Sequence, residues 1–185
     1  MSMMSDAASA YPRWSAAVTR VFAADELALR RVREREHPKV VQVMRWFTRL
    51  GDTSAWVVHC MGLLLVLPAS GYPAVTRMSS AGLLATAVVA VLKRVIRRPR
   101  PSRAAPGLGG LLADPDAFSF PSGHSAVAFA IAVAACHTLP ALGAAELLLA
   151  SGIAFSRVYL GAHYPLDVLV GITIGIASAF TVATF

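Results

Sequence analysis

Charge is scarce in this sequence. Only 15% of its 185 residues are Asp, Glu, Lys or Arg, while 56% are hydrophobic. A water-soluble domain of this length rarely carries so apolar a composition, and here the apolar residues come in long blocks with the charge confined between them. That pattern argues against a soluble globule and for a polytopic membrane protein, an all-α helical bundle. Cysteine is almost lacking. Cys60 and Cys136 both lie inside apolar blocks without metal-type spacing, which supports neither a disulfide framework nor a zinc site. The N-terminal stretch MSMMSDAASAYPRW has no basic region leading into an apolar run, so no cleaved signal peptide is expected. Repeats and low-complexity tracts are lacking too. Acidic residues are the rarer sign, 10 against 17 Lys and Arg, for a net charge of +7.

What is present divides into residues 1–51, an amphipathic N-terminal region, and residues 52–185, a transmembrane domain. Residues 13–50 mix Arg, Lys and Glu with apolar residues at helical spacing: Trp14, Val18, Val21 and Phe22 on one face, then Val40, Val43, Met44, Phe47 and Leu50 on another. His37-Pro38 separates the two helices, because proline disfavours helix in the residue before it. The stretch LRRVREREHPK is too charged to cross a bilayer, so the expectation is an interfacial helix pair with its basic face toward anionic headgroups. A solvated helical cap is the competing reading. Five spans follow, at 53–70, 78–92, 122–138, 141–157 and 166–185, with turns at 71–77 and 139–140. The second is short for about 30 Å of hydrocarbon and is expected to extend past Arg77 and Lys93, whose side chains can snorkel. In GITIG, Gly171 and Gly175 would let a neighbouring helix approach closely.

Five alternating crossings bring the two polar connections, KRVIRRPRPSRAAPGLGGLLADPDAFSFPSGH and SRVYLGAHYPLD, to one membrane side. They hold three clusters. In the first, Lys93 to Pro101, the prolines turn the chain back over the membrane surface; by itself it reads as a basic flank that fixes topology. In the second, FPSGHSAVAFA, Ser122 caps a helix start, Gly123 lets a ligand reach the free N–H groups, and His124 stands beside that anion site. A plain helix cap is its simpler reading. In the third, His163 and Asp167 are one helical turn apart, so the carboxylate can hold one imidazole nitrogen and leave the other basic. That is nucleophile-plus-orienter geometry; an interfacial Arg157–Asp167 ion pair is the alternative. Three such coincidences on one face favour a site.

These residues carry a resemblance. KRVIRRPRP (Lys, six residues, Arg-Pro), PSGH, and SRVYLGAHYPLD (Ser-Arg, five residues, His, three residues, Asp) resemble, in order and without substitution, the three motifs of the type 2 phosphatidic acid phosphatase superfamily, which includes vanadate-dependent haloperoxidases. The resemblance covers residues 52 to about 180. It implies that the anion is a transferable phosphoryl group. On that footing His163 attacks phosphorus and becomes a phosphohistidine, Asp167 fixes its tautomer, and His124 protonates the leaving oxygen and then activates water. Lys93, Arg100 and Arg157 neutralise the phosphate, while Ser122 and the Gly123 N–H bond its oxygens. Three cations can do what magnesium does elsewhere, so no metal and no cofactor are expected.

The implied function is an integral membrane phosphatase acting on a lipid phosphate monoester or polyprenyl pyrophosphate; phosphatidic acid and phosphatidylglycerol phosphate are further candidates. A phosphatase for a phosphorylated sugar or glycolipid is the runner-up, and a non-catalytic binder of anionic lipid is the alternative of another class. The expected partners are the lipid substrate and the membrane, not nucleic acid, in a bacterial plasma membrane. Many family members have six spans; here the first is expected to be missing, which puts the N-terminus on the site side. Only Arg77 of the Lys and Arg residues falls on the far side, so the positive-inside rule turns the site toward the cytoplasm, whereas bacterial members of the family more often face outward. Asp52 is expected to cap the first span and Glu146 to sit at a helix start, both as favourable anions. His37, His59 and His137 read as structural, and Tyr159 and Tyr164 as interfacial residues at the mouth of the site.

Overall fold

The computed structural model describes residues 15–104, 108, 111–112 and 116–184. Trp14 and most of the connection between residues 104 and 116 lie outside the described residues. Among the described residues, eight helices follow in chain order: α1 Ala16–Arg33, α2 Pro38–Leu50, α3 Thr53–Val66, α4 Pro68–Ile96, α5 Pro101–Ala104, α6 Gly123–Cys136, α7 Pro140–Tyr159 and α8 Pro165–Ala183. No strand occurs among the described residues. Proline opens α2, α4, α7 and α8, where its missing N–H costs nothing and its fixed φ suits the first turn.

The five apolar helices fall where the sequence places spans, with one shift. The turn expected at residues 71–77 is helical; the chain reverses instead at Leu67, and α4 runs for 29 residues. Two residue choices account for this. Pro68 starts a helix readily, and Gly71 has no Cβ to collide with the Leu63 carbonyl across the hairpin. Helices α4, α7 and α8 are long and apolar enough to cross a membrane; α3 and α6, 14 residues each, are shorter. Apolar side chains also cover the outward faces. Leu65 is 79% exposed and Leu148 77%, and Val58, Leu83, Val95 and Leu169 are similarly bare. Apolar on both faces, these helices suit lipid rather than water. The protein is an integral membrane protein.

Helix α6 is the centre of the bundle, packed by α4, α7 and α8. Its buried positions are mostly alanine, Ala126, Ala128, Ala130, Ala132, Ala134 and Ala135, which lets three neighbours come close. The α6–α8 contact is backbone to backbone: a Cβ on Gly171 would meet the Ser122 carbonyl, and one on Gly175 the Ala126 carbonyl. Gly175→Val therefore wedges apart the helices that carry the second and third motifs. It is expected to cost about 1–3 kcal/mol or more, read as a lower unfolding temperature in detergent.

The N-terminal helices dock on the end where the motifs meet. Leu29 of α1 is fully buried against Leu108, Ala154, Val158, Tyr164 and Val168. From α2, the Phe47 ring lies over Gly152. Between them the Tyr159 hydroxyl accepts from the His37 N–H at 3.0 Å and donates to the Arg35 carbonyl at 3.3 Å. Other apolar side chains of the pair, Val21, Leu27, Val43 and Trp46, remain exposed beside its arginines.

Candidate active site

The third motif is built by a helix ending and a helix beginning. Helix α7 stops in a Schellman arrangement: Gly161, at φ 69°, donates to the Val158 carbonyl at 2.9 Å, and Ala162 donates to the Arg157 carbonyl at 3.0 Å. The His163 N–H reaches the same Arg157 carbonyl at 3.1 Å. Arginine and histidine are thus tied through one backbone oxygen. Two residues later Pro165 starts α8, and Asp167 in its first turn reaches back, its Oδ2 accepting the Tyr164 N–H at 3.0 Å.

His163 is almost wholly buried, and its Nδ1 faces Asp167 Oδ2 at 3.6 Å. That is ion-pair range but longer than a hydrogen bond; such contacts in catalytic pairs commonly shorten when substrate is bound. On the other edge of the ring, Arg100 Nη1 lies 3.4 Å from Nε2. Burial, opposed by the Asp167 carboxylate and reinforced by the Arg157 and Arg100 charges, pushes the His163 imidazole down to about 4. At neutral pH the ring is therefore uncharged, with its Nε2 edge turned to the Arg100 guanidinium.

The first motif contributes cations. Arg97, at φ 51°, ends α4, and the following Arg98-Pro99 segment lies along Phe118 and Ser119, the Ser119 N–H donating to the Arg98 carbonyl at 2.8 Å. Arg100 is 1% exposed and donates to the Ala162 carbonyl at 2.9 Å and to Asp116 Oδ1 at 2.8 Å. Lys93 Nζ meets the other oxygen of Asp116 at 2.6 Å. Burial alone would raise the Asp116 carboxyl, but Lys93 and Arg100 outweigh it and hold it below the usual carboxylate range. Arg157, 4% exposed, donates from Nη1 to Thr48 Oγ1 at 2.7 Å.

The second motif starts α6. Ser122, fully buried, caps the helix, and its N–H donates to the Asp167 carbonyl at 2.9 Å, which stitches the second motif to the third. Gly123 and His124 line a cavity of about 220 Å³ together with Gly51, Asp52, Thr86 and Val89. A Cβ on Gly123 would meet only Val89, at an ordinary 3.7 Å, so packing does not demand glycine there. Gly123→Ala is expected to leave the unfolding temperature unchanged and to raise KM about tenfold or more by holding an anion away from the helix N-terminus. A steady-state assay beside a melting curve checks it.

Against this geometry the comparisons are decisive. A family model described as the PAP2 superfamily matches residues 74–185. The chain belongs to the PAP2 superfamily. Over 135 residues, 72% of each chain, it is 36% identical to decaprenylphosphoryl-5-phosphoribose phosphatase of Mycolicibacterium smegmatis. The crystal structure of Aquifex aeolicus LpxE superposes with a TM-score of 0.71 at 30% identity, covering 85% of this chain and 93% of that one. The PAP2 type phosphatidylglycerolphosphate phosphatase of Bacillus subtilis gives 0.69 at 29% identity, covering 97% and 89%. This PAP2 chain is an integral membrane phosphatase.

Within this PAP2 fold, His163, Asp167, Arg100, Arg157 and Ser122 are joined by direct side-chain or backbone contacts, and Lys93 joins through Asp116. His124 bonds elsewhere: its Nε2 lies 3.0 Å from Asp52 Oδ1. Asp52 does sit at the N-cap of α3, but its side chain makes no capping bond, so the capping expectation gives way to a carboxylate–histidine pair. The α3 N-terminus comes close enough to α6 for the carboxylate to cross over. Glu146 likewise caps nothing. It lies in the second turn of α7, and its Oε1 meets His59 Nε2 at 2.6 Å, giving that histidine the partner its sequence context did not show. Asp25, Thr48, Asp52 and Asp116 reach site residues from outside the motifs, and Arg98 does so from a spacer position within the first. Only Asp52 had a readable signal, a lone acid just ahead of an apolar run.

Proposed function

We propose that this phosphatase removes a phosphoryl group from a polyprenyl-anchored lipid in a bacterial plasma membrane. A phosphosugar headgroup is the favoured substrate and polyprenyl pyrophosphate the second. The observation that carries this reading is a continuous path. The cavity at His124 shares Thr53, Thr86 and Val127 with an apolar groove of about 350 Å³ that descends between α3, α4 and α6, lined by Trp56, Met61, Leu64 and Met78. A phosphate at His124 would leave its lipid tail in that groove. The mycobacterial relative with the sugar-phosphate substrate, similar over nearly three quarters of both chains, supports the headgroup.

The clustering of His163, Asp167, Arg100 and Arg157 supports the following chemistry. His163 Nε2 attacks phosphorus, the bond from phosphorus to the substrate oxygen breaks, and His124 gives that oxygen a proton. Neutral His124 then takes a proton from water, whose oxygen attacks the phosphohistidine, breaks the P–N bond and frees inorganic phosphate. Lys93, Arg100 and Arg157 balance the charge on the equatorial oxygens, and Ser122 and the Gly123 N–H hold them, since phosphoryl transfer needs mostly positioning and charge stabilisation.

Purified protein in detergent with EDTA, offered a decaprenyl phosphosugar, undecaprenyl pyrophosphate and phosphatidic acid, is expected to release phosphate fastest from the polyprenyl substrates. No release from any of them would end the assignment. Gly82→Leu, which projects into the groove where a Cβ has 3.6 Å to Ile131, is expected to raise KM several-fold for the polyprenyl substrates. KM for water-soluble p-nitrophenyl phosphate should stay put.

A further inference from the structure

Arg98 stands two residues before a motif arginine, yet it is turned away from the cations around Asp116. It is 3% exposed, and its guanidinium is held between two rings, 4.0 Å from the centre of Phe22 and 3.9 Å from that of Tyr164. From Nη1 it donates to Asp167 Oδ1 at 2.8 Å and to Asp25 Oδ2 at 2.7 Å. Asp25 comes from α1, and its other oxygen accepts the Leu166 N–H at 2.9 Å, in the first turn of the helix that carries Asp167. Both acids are buried, and α1 lies wholly outside residues 74–185 that the family model covers.

We propose that Asp25 and Arg98 are positioning residues for the nucleophile: an N-terminal carboxylate and a buried guanidinium that hold Asp167 in place and set how much of its charge reaches His163. The inference rests on His163 being the nucleophile. Geometry gives the first half. Asp167 has one oxygen on Arg98 and the other on the Tyr164 N–H and His163, so its plane has no freedom to rotate. Charge gives the second half. Arg98 alone would neutralise Asp167 and leave the phosphohistidine ring without a counter-charge. With Asp25 on the same guanidinium nitrogen, the trio carries a net negative charge, which faces His163 as its ring turns cationic. Phe22 and Tyr164 close the guanidinium off from water, and both ring faces favour a cation.

Other charges act on the same ring. His163 is also faced by Arg157 from the end of α7 and Arg100 from the segment before α5, while Glu26 lies beside Asp25 on α1 and acts on Tyr164. Burial raises the Asp25 carboxyl, against the Leu166 N–H and Arg98, which lower it. A neutral replacement at Asp25 therefore removes a charge that the fold holds at a cost.

The test uses full-length protein in detergent, with kcat, KM, the pH profile of kcat/KM and the unfolding temperature measured for each variant. Asp25→Asn is expected to lower kcat roughly tenfold with KM within about twofold of wild type. Arg98→Gln is expected to move the acid limb of the profile upward by on the order of half a pH unit, because a cation near the His163–Asp167 pair is gone. Arg98→Lys, which keeps the charge, should leave the limb in place. The double variant should lose less than the product of the single losses, as residues of one network do. Arg30→Gln, on the exposed side of α1, is the control. Wild-type kcat in Asp25→Asn would overturn the inference. So would losses that only track the folded fraction, with the acid limb unmoved. His163→Ala in the same series separates the two levels: if it stays active, the nucleophile assignment falls and this inference with it. If it is inactive while both positioning variants behave as wild type, only the inference falls.

Discussion

His163→Ala is expected to lower kcat by on the order of 10⁴-fold or more, leaving only what binding and charge stabilisation supply. Alanine removes the atom proposed to bond phosphorus, whereas Lys93, Arg100 and Arg157, the proposed phosphate ligands, remain, so KM should change little. Wild-type enzyme quenched into alkali during turnover should carry an acid-labile phosphoryl group that the variant lacks. The pH profile gives a second reading of the same residue. With its imidazole pushed down to about 4, His163 stays unprotonated well below neutrality, so the nucleophile's acid limb in kcat/KM belongs near that pH rather than near the ordinary histidine value. The same shift bears on folding. Between the ordinary value and about 4 the unfolded chain binds the proton more readily than the native one, so His163 withdraws stability as the pH falls through that window. A variant that keeps substantial kcat and still traps phosphate would end the assignment.

Asp167→Asn should cost nearly as much in rate, on the order of 10³- to 10⁴-fold, for two reasons. An amide offers no charge to stabilise the phosphohistidine ring, and it does not fix the tautomer that leaves Nε2 unprotonated. A structural loss comes with it. Asp167 is fully buried, and its Oδ1 is one of the two carboxylate oxygens on the equally buried Arg98. Breaking one side of such a pair costs about 3–5 kcal/mol where nothing replaces it; with Asp25 still on Arg98 the lower end is expected. Steady-state rates and unfolding temperatures on one preparation separate the two effects. Retention of more than a tenth of wild-type activity would remove Asp167 from the machinery.

The helices and the three motifs are legible in the sequence because both are local. A block of apolar residues names its own helix, and each motif is a short continuous stretch of chain. His163 and Asp167 are four positions apart, and the Ser122 cap is adjacent to the glycine it serves. Partners from the N-terminal helices are not legible this way. Asp25 meets Arg98 across 73 positions, Asp52 meets His124 across 72, and Thr48 meets Arg157 across 109. Periodicity gives the amphipathic face of α1 and α2, but not which bundle end it covers. The misplaced turn before α4 has a similar origin. A Gly-Tyr-Pro stretch reads as a turn locally, yet Gly71 is there to let Leu63 pass, and Pro73 sits one turn into a helix already begun at Pro68.

Asp116 adds a consequence for turnover. Its two oxygens lie on Lys93 and Arg100, the pair assigned to phosphate, while nearly half of its side chain faces solvent. The cations therefore already hold a resident anion, and on the proposed assignment an incoming phosphate would enter by exchange with it rather than by filling bare charge. Exchange weakens the hold on substrate and on inorganic phosphate alike. On the proposed assignment, and with a product that is also an anion, that tether would work as an ejector: the carboxylate that yields to the substrate would return to displace the phosphate left behind.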